Sequence, residues 1–278
     1  MSSHGTFKIP IVDLRAQYSA LRDEVRQAID DVNDTQQFIL GPAVESFEDQ
    51  MANYLHCRCS IGVASGSDAL LLALMALGVG PGDAVITTPF TFFSTVSAIV
   101  RVGARPLFVD VDIDSCLISL DRLNEFFLQR IDALANQIVD RKTGLKVQAV
   151  LPVHLFGQCC AMNELIALAR KYRFKIIEDV AQACGARISV AGEERFAGAI
   201  GDLGCFSFFS EQNSRSFRRR RLSYDTGPGS RRKSQNAPDA RRKNQVLSRG
   251  DGYQFPARFF ASRRAVGKAA VFGTMVSK

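Results

Sequence analysis

The first 213 residues predict an α/β protein with a mostly parallel sheet and helices on both faces. Apolar runs of strand length alternate with segments of helical periodicity along this part of the chain. The runs are apolar throughout rather than alternately apolar and polar, which is typical of strands buried on both faces. From Ser214 onward both patterns stop and the composition becomes strongly basic. We therefore divide the chain into a folded domain, residues 1–213, and a tail of low order, residues 214–278.

The predicted elements follow one another in chain order. The first is an amphipathic helix, in which apolar residues recur at steps of three and four: Leu14, Tyr18, Leu21, Val25, Ile29 and Val32. A second helix covers AVESFEDQMANYL, an apolar one begins at Ala69, and another covers NELIALARKYR. Strands are predicted within CSIGVA, GPGDAVITTP, ARPLFVDVD, VQAVLPVHLFG and FKIIEDV. Pro106 lies at the edge of the ARPLFVDVD strand, where proline is tolerated.

The net charge of +7 conceals two parts of opposite sign. Of the 35 Lys and Arg residues, 17 lie from Ser214 onward, together with only 3 of the 28 Asp and Glu residues. Residues 1–213 therefore carry a net charge of −7 and the tail one of +14. All seven cysteines precede Ser214 without zinc-binding spacing, and no signal peptide is evident. We expect no metal site and a cytoplasmic protein, since the longest apolar stretch is too short to span a bilayer.

A turn of small residues in VASGSDALLLAL predicts a phosphate site. Ligands of open parallel sheets bind beyond the carboxyl ends of the strands, and this turn joins such an end to a helix. Free N–H groups and the positive end of the helix dipole would both favour an anion there. Ser67 and Asp68 would begin the helix and contact the phosphate. The alternative is that either residue is only an N-cap.

Three further strand ends carry unusual residues. Phe92, in TTPFTFFST, could stack on a planar cofactor or belong to the core. Asp179 ends an apolar strand, where a carboxylate needs a cationic or hydrogen-bonding partner. The alternative is that Asp179 is a helix N-cap. Gln182 follows one turn later. Ser207 would face a ligand phosphate or a backbone carbonyl, and His154 is interpreted as a core histidine. Together the four strand ends describe a pocket for pyridoxal 5′-phosphate, in which the carboxylate pairs with the protonated ring nitrogen.

These segments resemble the DegT/DnrJ/StrS family of PLP-dependent sugar aminotransferases. The resemblance covers about residues 8–209, in the segments IPIVDL, FILGPAVESFE, SGSDALLLAL, GPGDAVITTPFTFFST, ARPLFVDVD, LPVHLFGQ, IIEDVAQACGA and GDLGCFSFF. It implies the type I aminotransferase fold, of which this chain would hold the large domain and lack the C-terminal small domain. It also implies a homodimer with composite active sites.

The resemblance implies a role for each candidate residue. The reaction would move an amino group from an amino acid, commonly glutamate, to a nucleotide-linked keto-sugar in amino-sugar biosynthesis. The implied cofactor contacts are Ser67, Asp68 and Ser207 on the phosphate, Phe92 on the ring face, Asp179 on the pyridinium nitrogen and Gln182 on the phenolic oxygen.

The family's catalytic lysine is missing from this chain. The family continues GCFSFF with Pro-Ser-Lys-Asn, whereas this sequence has Ser210, Glu211, Gln212 and Asn213. Gln212 is a neutral amide, which can neither bind the cofactor covalently nor act as a base near neutral pH. We therefore assign no catalytic residue and expect the chain to be inactive. Family members that lack the lysine and catalyse dehydration carry histidine there, and glutamine does not supply that base.

A shift of reading frame would account for both the missing lysine and the basic tail. Suitable codons for Ser210–Gln212, read one nucleotide later, give Pro-Ser-Lys. Suitable codons for Phe217 and the four arginines that follow give Phe-Gly-Asp-Gly-Gly, which is also the family's sequence. We therefore interpret the chain from about Ser210 as an out-of-frame translation. The alternative is a non-catalytic protein whose basic tail binds nucleic acid without sequence preference.

Overall fold

The computed structural model describes residues 15–133, 137–208 and 273–277. The helices within these ranges are α1 (Arg15–Thr35), α2 (Pro42–Leu55), α3 (Gly66–Ala76), α4 (Phe93–Arg101), α5 (Leu120–Arg130) and α6 (Met162–Tyr172). The strands are β1 (Cys59–Val63), β2 (Asp83–Thr87), β3 (Arg105–Phe108), β4 (Ile131–Ala133), β5 (Ile138–Asp140), β6 (Lys146–Val150), β7 (Lys175–Asp179), β8 (Arg187–Val190), β9 (Glu193–Phe196), β10 (Leu203–Ser207) and β11 (Gly273–Ser277).

The helices begin where the local sequence satisfies or removes backbone N–H groups. α2 starts with Pro42, whose missing N–H costs nothing at the first helical position. α5 is capped by Ser119, which accepts the Arg122 N–H at 3.3 Å. α2 ends at Leu55, and the next residue, His56, adopts a left-handed conformation with φ of 53°. These local signals fix the helix bounds that place the loops of the site.

The large sheet is mostly parallel, as the sequence predicts. Its strand order is β1-β11-β10-β7-β6-β2-β3, and the five strands from β10 to β3 all pair in parallel. β11 is antiparallel to both β1 and β10, so β1 runs in the same direction as β10. β5 adds to β6 in the antiparallel sense and pairs with β4, while β8 and β9 form a separate hairpin. The carboxyl ends of β1, β2, β7 and β10 therefore lie at one edge.

The core lies on both faces of this sheet. Phe206 of β10 packs with Met51 and Leu55 of α2 on one face. The next residue, Ser207, contacts the start of α3 at Gly66, because successive side chains of a strand point to opposite faces. α3 itself buries Ala69, Leu70, Ala73 and Leu74. The expected arrangement of helices on both faces of the sheet is confirmed.

The last strand was not predicted from the sequence. β11 lies within residues 214–278, where we expected low order. Its partners β1 and β10 are distant in sequence, and a run of five residues carries no pattern that would reveal such pairing. Residues 209–272 lie outside the described ranges, so the boundary at residue 213, Gln212 and the basic segment stay predictions. None of the described helices combines the length and apolarity that a bilayer crossing requires.

Candidate functional site

The predicted site residues gather at the carboxyl edge of the sheet. Ser67 follows β1, Phe92 follows β2, Asp179 ends β7 with Gln182 in the turn behind it, and Ser207 ends β10. These four strands run in the same direction. The structure thus brings the five residues to the side of the sheet where parallel α/β proteins bind their ligands.

The turn between β1 and α3 forms a capped helix start. Ser65 is the N-cap, and its Oγ accepts the Asp68 N–H at 3.1 Å. The cap is therefore Ser65 rather than Ser67 or Asp68. The N–H groups of Gly66 and Ser67 open the helix and have no acceptor within it. Together with the helix dipole they favour a phosphate or carboxylate at this point.

Asp68 belongs to the cap of α3. Its Oδ2 accepts the Ser65 hydroxyl at 3.0 Å, while the Ser65 oxygen accepts the Asp68 N–H. Its Oδ1 lies 4.0 Å from an Arg101 side-chain nitrogen. A carboxylate would repel a phosphate at close range, and this one is already engaged by its neighbours. The side chain of Asp68 therefore stiffens the turn, and its contacts leave the N–H groups of Gly66 and Ser67 as the part of the turn suited to an anion.

Ser207 lies directly against the start of α3. A Cβ atom on Gly66 would come 2.9 Å from the Ser207 Cβ and 3.3 Å from its Oγ. Such a contact is too close for a side chain, so residue 66 has to be glycine for the two elements to approach this far. The helix N-terminus and the Ser207 hydroxyl consequently share one cradle, which a single methyl group would fill.

A second helix start meets the first. The Ser67 Oγ lies 2.6 Å from the Ser94 Oγ, in the first turn of α4. Two hydroxyls thus stand between adjoining helix N-termini, where both dipoles favour negative charge. Ser94 joins the candidate residues on this geometry, although nothing in the sequence reasoning singled it out.

Asp179 is a buried carboxylate with neutral hydrogen-bond partners. Its side chain is 5% exposed, and its Oδ2 accepts the Thr95 hydroxyl at 2.8 Å while Oδ1 accepts the Ala181 N–H at 3.2 Å. Burial raises the pKa of Asp179 above its usual value, and these hydrogen bonds oppose that rise. No lysine or arginine pairs with it in the described ranges. Such a carboxylate is receptive to a cationic ligand atom.

The segment from Thr91 to Thr95 supplies an aromatic face and a second pair of hydroxyls. Phe92 is 68% exposed and Phe93 75% exposed, so neither residue belongs to the core of the described residues. Phe92 can therefore offer a face to a planar ligand. Behind it, the Thr91 Oγ1 lies 2.7 Å from the Thr95 Oγ1, which in turn contacts the buried carboxylate.

Gln182 stands in the turn that follows β7. Its carbonyl accepts the Gly157 N–H at 2.9 Å, which ties the turn to the loop after β6. Its side-chain amide makes no hydrogen bond to any other described residue. The half-buried amide is therefore available to a ligand at this edge.

β7 also carries a buried carboxylate on the opposite face of the sheet. Glu178 accepts the N–H groups of Gly198 and Ile200 at 2.8 Å each, and that of Gly201 as well. Its Oε2 lies 3.0 Å from the His154 Nε2. Burial alone would raise the pKa of Glu178, but these hydrogen bonds hold it below the usual value.

His154 is a core histidine, as the sequence predicts. Its Nδ1 accepts the Cys160 N–H at 3.0 Å, so the single proton of the neutral ring lies on Nε2 and points to Glu178. The ring is fully buried on the face away from the cradle. Its role is to hold the loops behind the sheet.

The contacts at the carboxyl edge form one continuous arrangement. Ser207 contacts Gly66, the neighbouring Ser67 contacts Ser94, and the next residue, Thr95, contacts the buried carboxylate of β7. One end favours an anion and the other a cation. A flat molecule with a phosphate at one end and a protonated ring nitrogen at the other fits this donor set, and pyridoxal 5′-phosphate is such a molecule.

Three residues of this arrangement escaped the sequence reasoning. Gly66 stood in the quoted turn, but only the close approach of Ser207 shows why it is glycine. Ser94 and Thr95 lie in TTPFTFFST, a segment in which the sequence assigned a role only to Phe92. Their roles follow from the start of a helix at Phe93. Consecutive residues in the first turn of a helix point in different directions, so Ser94 contacts Ser67 while Thr95 contacts Asp179.

Comparison with known proteins gives a consistent match over the same residues. A family model described as "DegT/DnrJ/EryC1/StrS aminotransferase family" matches residues 19–215. A UDP-N-acetyl-3-dehydro-alpha-D-glucosamine 3-aminotransferase from Acidithiobacillus ferrooxidans is 42% identical over 205 residues, which are 74% of this chain and 50% of the relative. The chain spans about half the length of the curated relatives it matches.

Two solved structures share the fold. A DegT DnrJ EryC1 StrS aminotransferase from Brucella abortus superposes with a TM-score of 0.64 at 34% identity, over 73% of this chain and 51% of that one. NtdA from Bacillus subtilis, solved with bound cofactor PMP, superposes with a TM-score of 0.57 at 29% identity, over 72% and 41% of the two chains.

Proposed function

Because the chain belongs to the DegT/DnrJ/EryC1/StrS aminotransferase family, we propose that its site binds pyridoxal 5′-phosphate and that the chain carries the large domain of a nucleotide-sugar aminotransferase. One observation carries the proposal. The buried Asp179 carboxylate, without a cationic partner in the described ranges, lies on the same edge as a helix start that is open to phosphate. The reaction and its substrates are proposed for the whole enzyme, of which this chain spans about half.

The phosphate end of the site is assigned to two helix starts. The N–H groups of Gly66 and Ser67 would donate to the phosphate oxygens, with the hydroxyls of Ser67, Ser94 and Ser207 around them. Asp68 would contribute by holding the turn through its contacts to the N-cap serine. This assignment requires glycine at position 66, since a Cβ there would come 2.9 Å from the Ser207 Cβ and push the helix start and β10 apart.

The ring end of the site is assigned to three side chains. Asp179 would hold a proton on the ring nitrogen, Phe92 would cover one ring face and exclude water, and Gln182 would donate to the phenolic oxygen. When bound, the cofactor supplies an electron sink for bonds at an attached amino group. The carboxylate matters because a protonated ring nitrogen makes that sink stronger.

The proposed substrates are an amino acid as donor and a keto-sugar linked to a nucleotide as acceptor. The support is the A. ferrooxidans relative, whose name describes a 3-aminotransferase of a UDP-linked dehydro-glucosamine. A second copy of the chain is proposed as partner, because the exposed rings of Phe90 and Phe93 flank the site at the start of α4.

We propose that this chain does not complete transamination itself. The position of the family's lysine is Gln212, outside the described residues, and an amide supplies neither a covalent attachment nor a base. A one-nucleotide frame shift near Ser210 remains the proposed origin. Sequencing the gene across codons 205–225 tests it: a shifted frame without Pro-Ser-Lys or Phe-Gly-Asp-Gly-Gly would refute the origin and leave the cofactor site unaffected.

Binding of pyridoxamine 5′-phosphate to the full chain tests the cofactor site directly. This form of the cofactor needs no lysine, so calorimetry or its fluorescence can report binding. We expect saturable binding of pyridoxamine 5′-phosphate to the full chain. The affinity should fall at least about tenfold when Asp179 is replaced by Asn, and the full chain should bind pyridoxamine, which lacks the phosphate, at least about tenfold more weakly. Asp83→Asn is the control, because the Asp83 carboxylate accepts the Gly80 N–H at the opposite end of the sheet. Absence of binding, or equal loss in both variants, would refute the proposal.

A further inference from the structure

Thr95 is the side-chain donor to the buried carboxylate of β7. Its Oγ1 lies 2.8 Å from the Asp179 Oδ2, and its side chain is fully buried. Thr95 is β-branched and lies in the first turn of α4, so its side-chain torsion is restricted to few rotamers, and the hydrogen bond to Asp179 selects the one observed. The other oxygen, Oδ1, accepts a backbone N–H at 3.2 Å from Ala181. Each carboxylate oxygen therefore has one protein donor and keeps acceptor capacity for a ligand.

The hydroxyl pair behind the carboxylate has a defined direction. A hydroxyl carries one proton, and the Thr95 hydroxyl donates its proton to the Asp179 carboxylate. The 2.7 Å contact between the two threonine hydroxyls therefore has Thr91 as donor and Thr95 as acceptor. Two donors in series polarise each other and stabilise negative charge at the end of the chain. The arrangement suits an ionised carboxylate better than a protonated one.

The same turn of α4 also carries the aromatic ring. The Thr95 N–H donates to the Phe92 carbonyl at 3.2 Å. The position of the carboxylate is thereby linked to the residue proposed to cover the ring face. A ligand ring that stacks on Phe92 then meets a carboxylate whose orientation is set by the same helical turn.

We propose that Thr95, supported by Thr91, is a positioning residue that holds the Asp179 carboxylate ionised and aimed at the ring nitrogen of the cofactor. This inference rests on the proposed function for its ligand. It goes further by assigning a role to two residues whose hydroxyls do not themselves reach the cofactor's reacting atoms.

The groups that face the carboxylate limit what else could control it. His154 on the loop after β6 donates its backbone N–H to the Asp179 carbonyl at 2.9 Å, and its ring Nδ1 accepts the Cys160 N–H, so its one ring proton lies on Nε2 and faces Glu178. Cys205 on β10 pairs with Asp179 across the sheet, and its thiol is buried and neutral because burial raises its pKa. The Glu178 side chain points to the opposite face. The Thr95 hydroxyl is thus the nearest adjustable influence in the part of the chain described.

Thr95→Val is the test variant, because valine keeps the shape and removes the hydroxyl. Thr95→Ser restores a hydroxyl and should rescue the loss. Thr87→Val is the matched control: Thr87 is equally buried and donates to the Leu151 carbonyl at 2.8 Å, away from Asp179. Two properties are measured in the full chain. One is the affinity and the ring-nitrogen ¹⁵N resonance of bound pyridoxamine 5′-phosphate; the other is the Asp179 carboxyl pKa without cofactor, by ¹³C NMR.

We expect Thr95→Val to weaken binding about tenfold, to shift the ring nitrogen toward its unprotonated resonance and to raise the Asp179 pKa. Thr95→Ser should stay close to the unchanged protein, and Thr87→Val should alter none of these. The inference would be overturned if Thr95→Val left both the ring-nitrogen resonance and the Asp179 pKa unchanged. It would also be overturned if Thr87→Val changed these two quantities as much as Thr95→Val does. If the unchanged protein binds no cofactor, the proposed function fails, and the carboxyl pKa alone decides on Thr95.

Discussion

At residue 66 a single methyl group decides whether the phosphate cradle stays open. A Cβ in Gly66→Ala would come 2.9 Å from the Ser207 Cβ, so the helix start and β10 would have to separate or the cradle would fill. We expect Gly66→Ala to weaken binding of pyridoxamine 5′-phosphate more than tenfold, measured by calorimetry. The fold should persist, because alanine favours the helix that begins there.

Gly80→Ala provides the comparison for this variant. A Cβ at residue 80 would meet only the Val102 carbonyl, at 3.8 Å, so the change should be tolerated. We expect its affinity for pyridoxamine 5′-phosphate to equal that of the unchanged protein. If Gly66→Ala bound as tightly as Gly80→Ala, the phosphate would have to lie elsewhere.

Glu178 is a residue whose replacement should cost considerable stability. Its buried carboxylate accepts three backbone N–H groups and faces the His154 ring. In Glu178→Gln an amide N–H₂ would confront some of those donors, which we expect to lower the free energy of unfolding by about 2–4 kcal/mol. Urea denaturation at pH 7 measures this loss.

Glu194→Gln tests the same substitution where the carboxylate is exposed. Glu194 pairs at 3.2 Å with Arg187 on the surface of the β8–β9 hairpin, so we expect a change below about 1 kcal/mol. Equal destabilisation by the two variants would contradict the special role of the buried network around Glu178.

The ionisation of the Glu178 carboxylate should also contribute to the pH dependence of the free energy of unfolding. The pKa of Glu178 is lower in the folded protein than its usual value of about 4.5, so the unfolded chain binds more protons between the two values. Stability from this group is complete above pH 4.5 and is lost as the pH falls toward the lowered value. Urea titrations across this window should show a shallower loss in Glu178→Gln.

At the scale of elements, β11 makes the strongest prediction. Met275 lies at its centre and pairs with Ile61 of β1 on one side and Cys205 of β10 on the other. Met275→Pro should break this pairing, because proline lacks the N–H that a ladder hydrogen bond in the middle of a sheet requires. Hydrogen exchange should then become fast at the amides of β1 and β10.

A proline in the separate β8–β9 hairpin is the control for Met275→Pro. Glu194→Pro lies in β9, which pairs only with β8, so its effect should stay within those two strands. Protection of β1 and β10 that survived Met275→Pro would show that the sheet does not need β11.

The elements also show which parts of the fold a sequence reveals. Strands β1, β2, β3, β6, β7 and β10 and helices α1, α2, α3 and α6 were predicted, because each carries its own periodicity or apolar run. β11 was not, since its pairing is decided by strands far away in the chain. The candidate site divides in the same way. Ser67, Asp179 and Ser207 stand out by residue type at strand ends, whereas the roles of Gly66 and Thr95 follow only from what their neighbours touch.

At the scale of the whole molecule, the exposed rings beside the site predict self-association. Phe93 is 75% exposed at the start of α4, close to the proposed ring contact of the cofactor. We expect the chain to form a dimer in sedimentation velocity, and Phe93→Ser to raise its dissociation constant at least about tenfold.

Ile113→Ser is the comparison for that interface. Ile113 is 87% exposed, but it lies in the loop after β3, outside the segment that flanks the site. Its replacement should leave the dissociation constant unchanged. A chain that stayed monomeric at all concentrations, or two variants with the same effect, would refute an interface at α4.

The position of β11 also has a consequence in time. Ribosomes add about 5–20 residues per second, and roughly 65 residues separate the end of β10 from the start of β11. For several seconds of every round of synthesis, β1 and β10 have therefore been made while the strand that belongs between them does not yet exist. During that interval the edges of β1 and β10 that pair with β11 have no partner, and an unpaired strand edge is able to recruit a stray strand from a neighbouring nascent chain. The yield of correctly closed molecules should therefore depend on how crowded translation is, and slower initiation or an available chaperone should raise it.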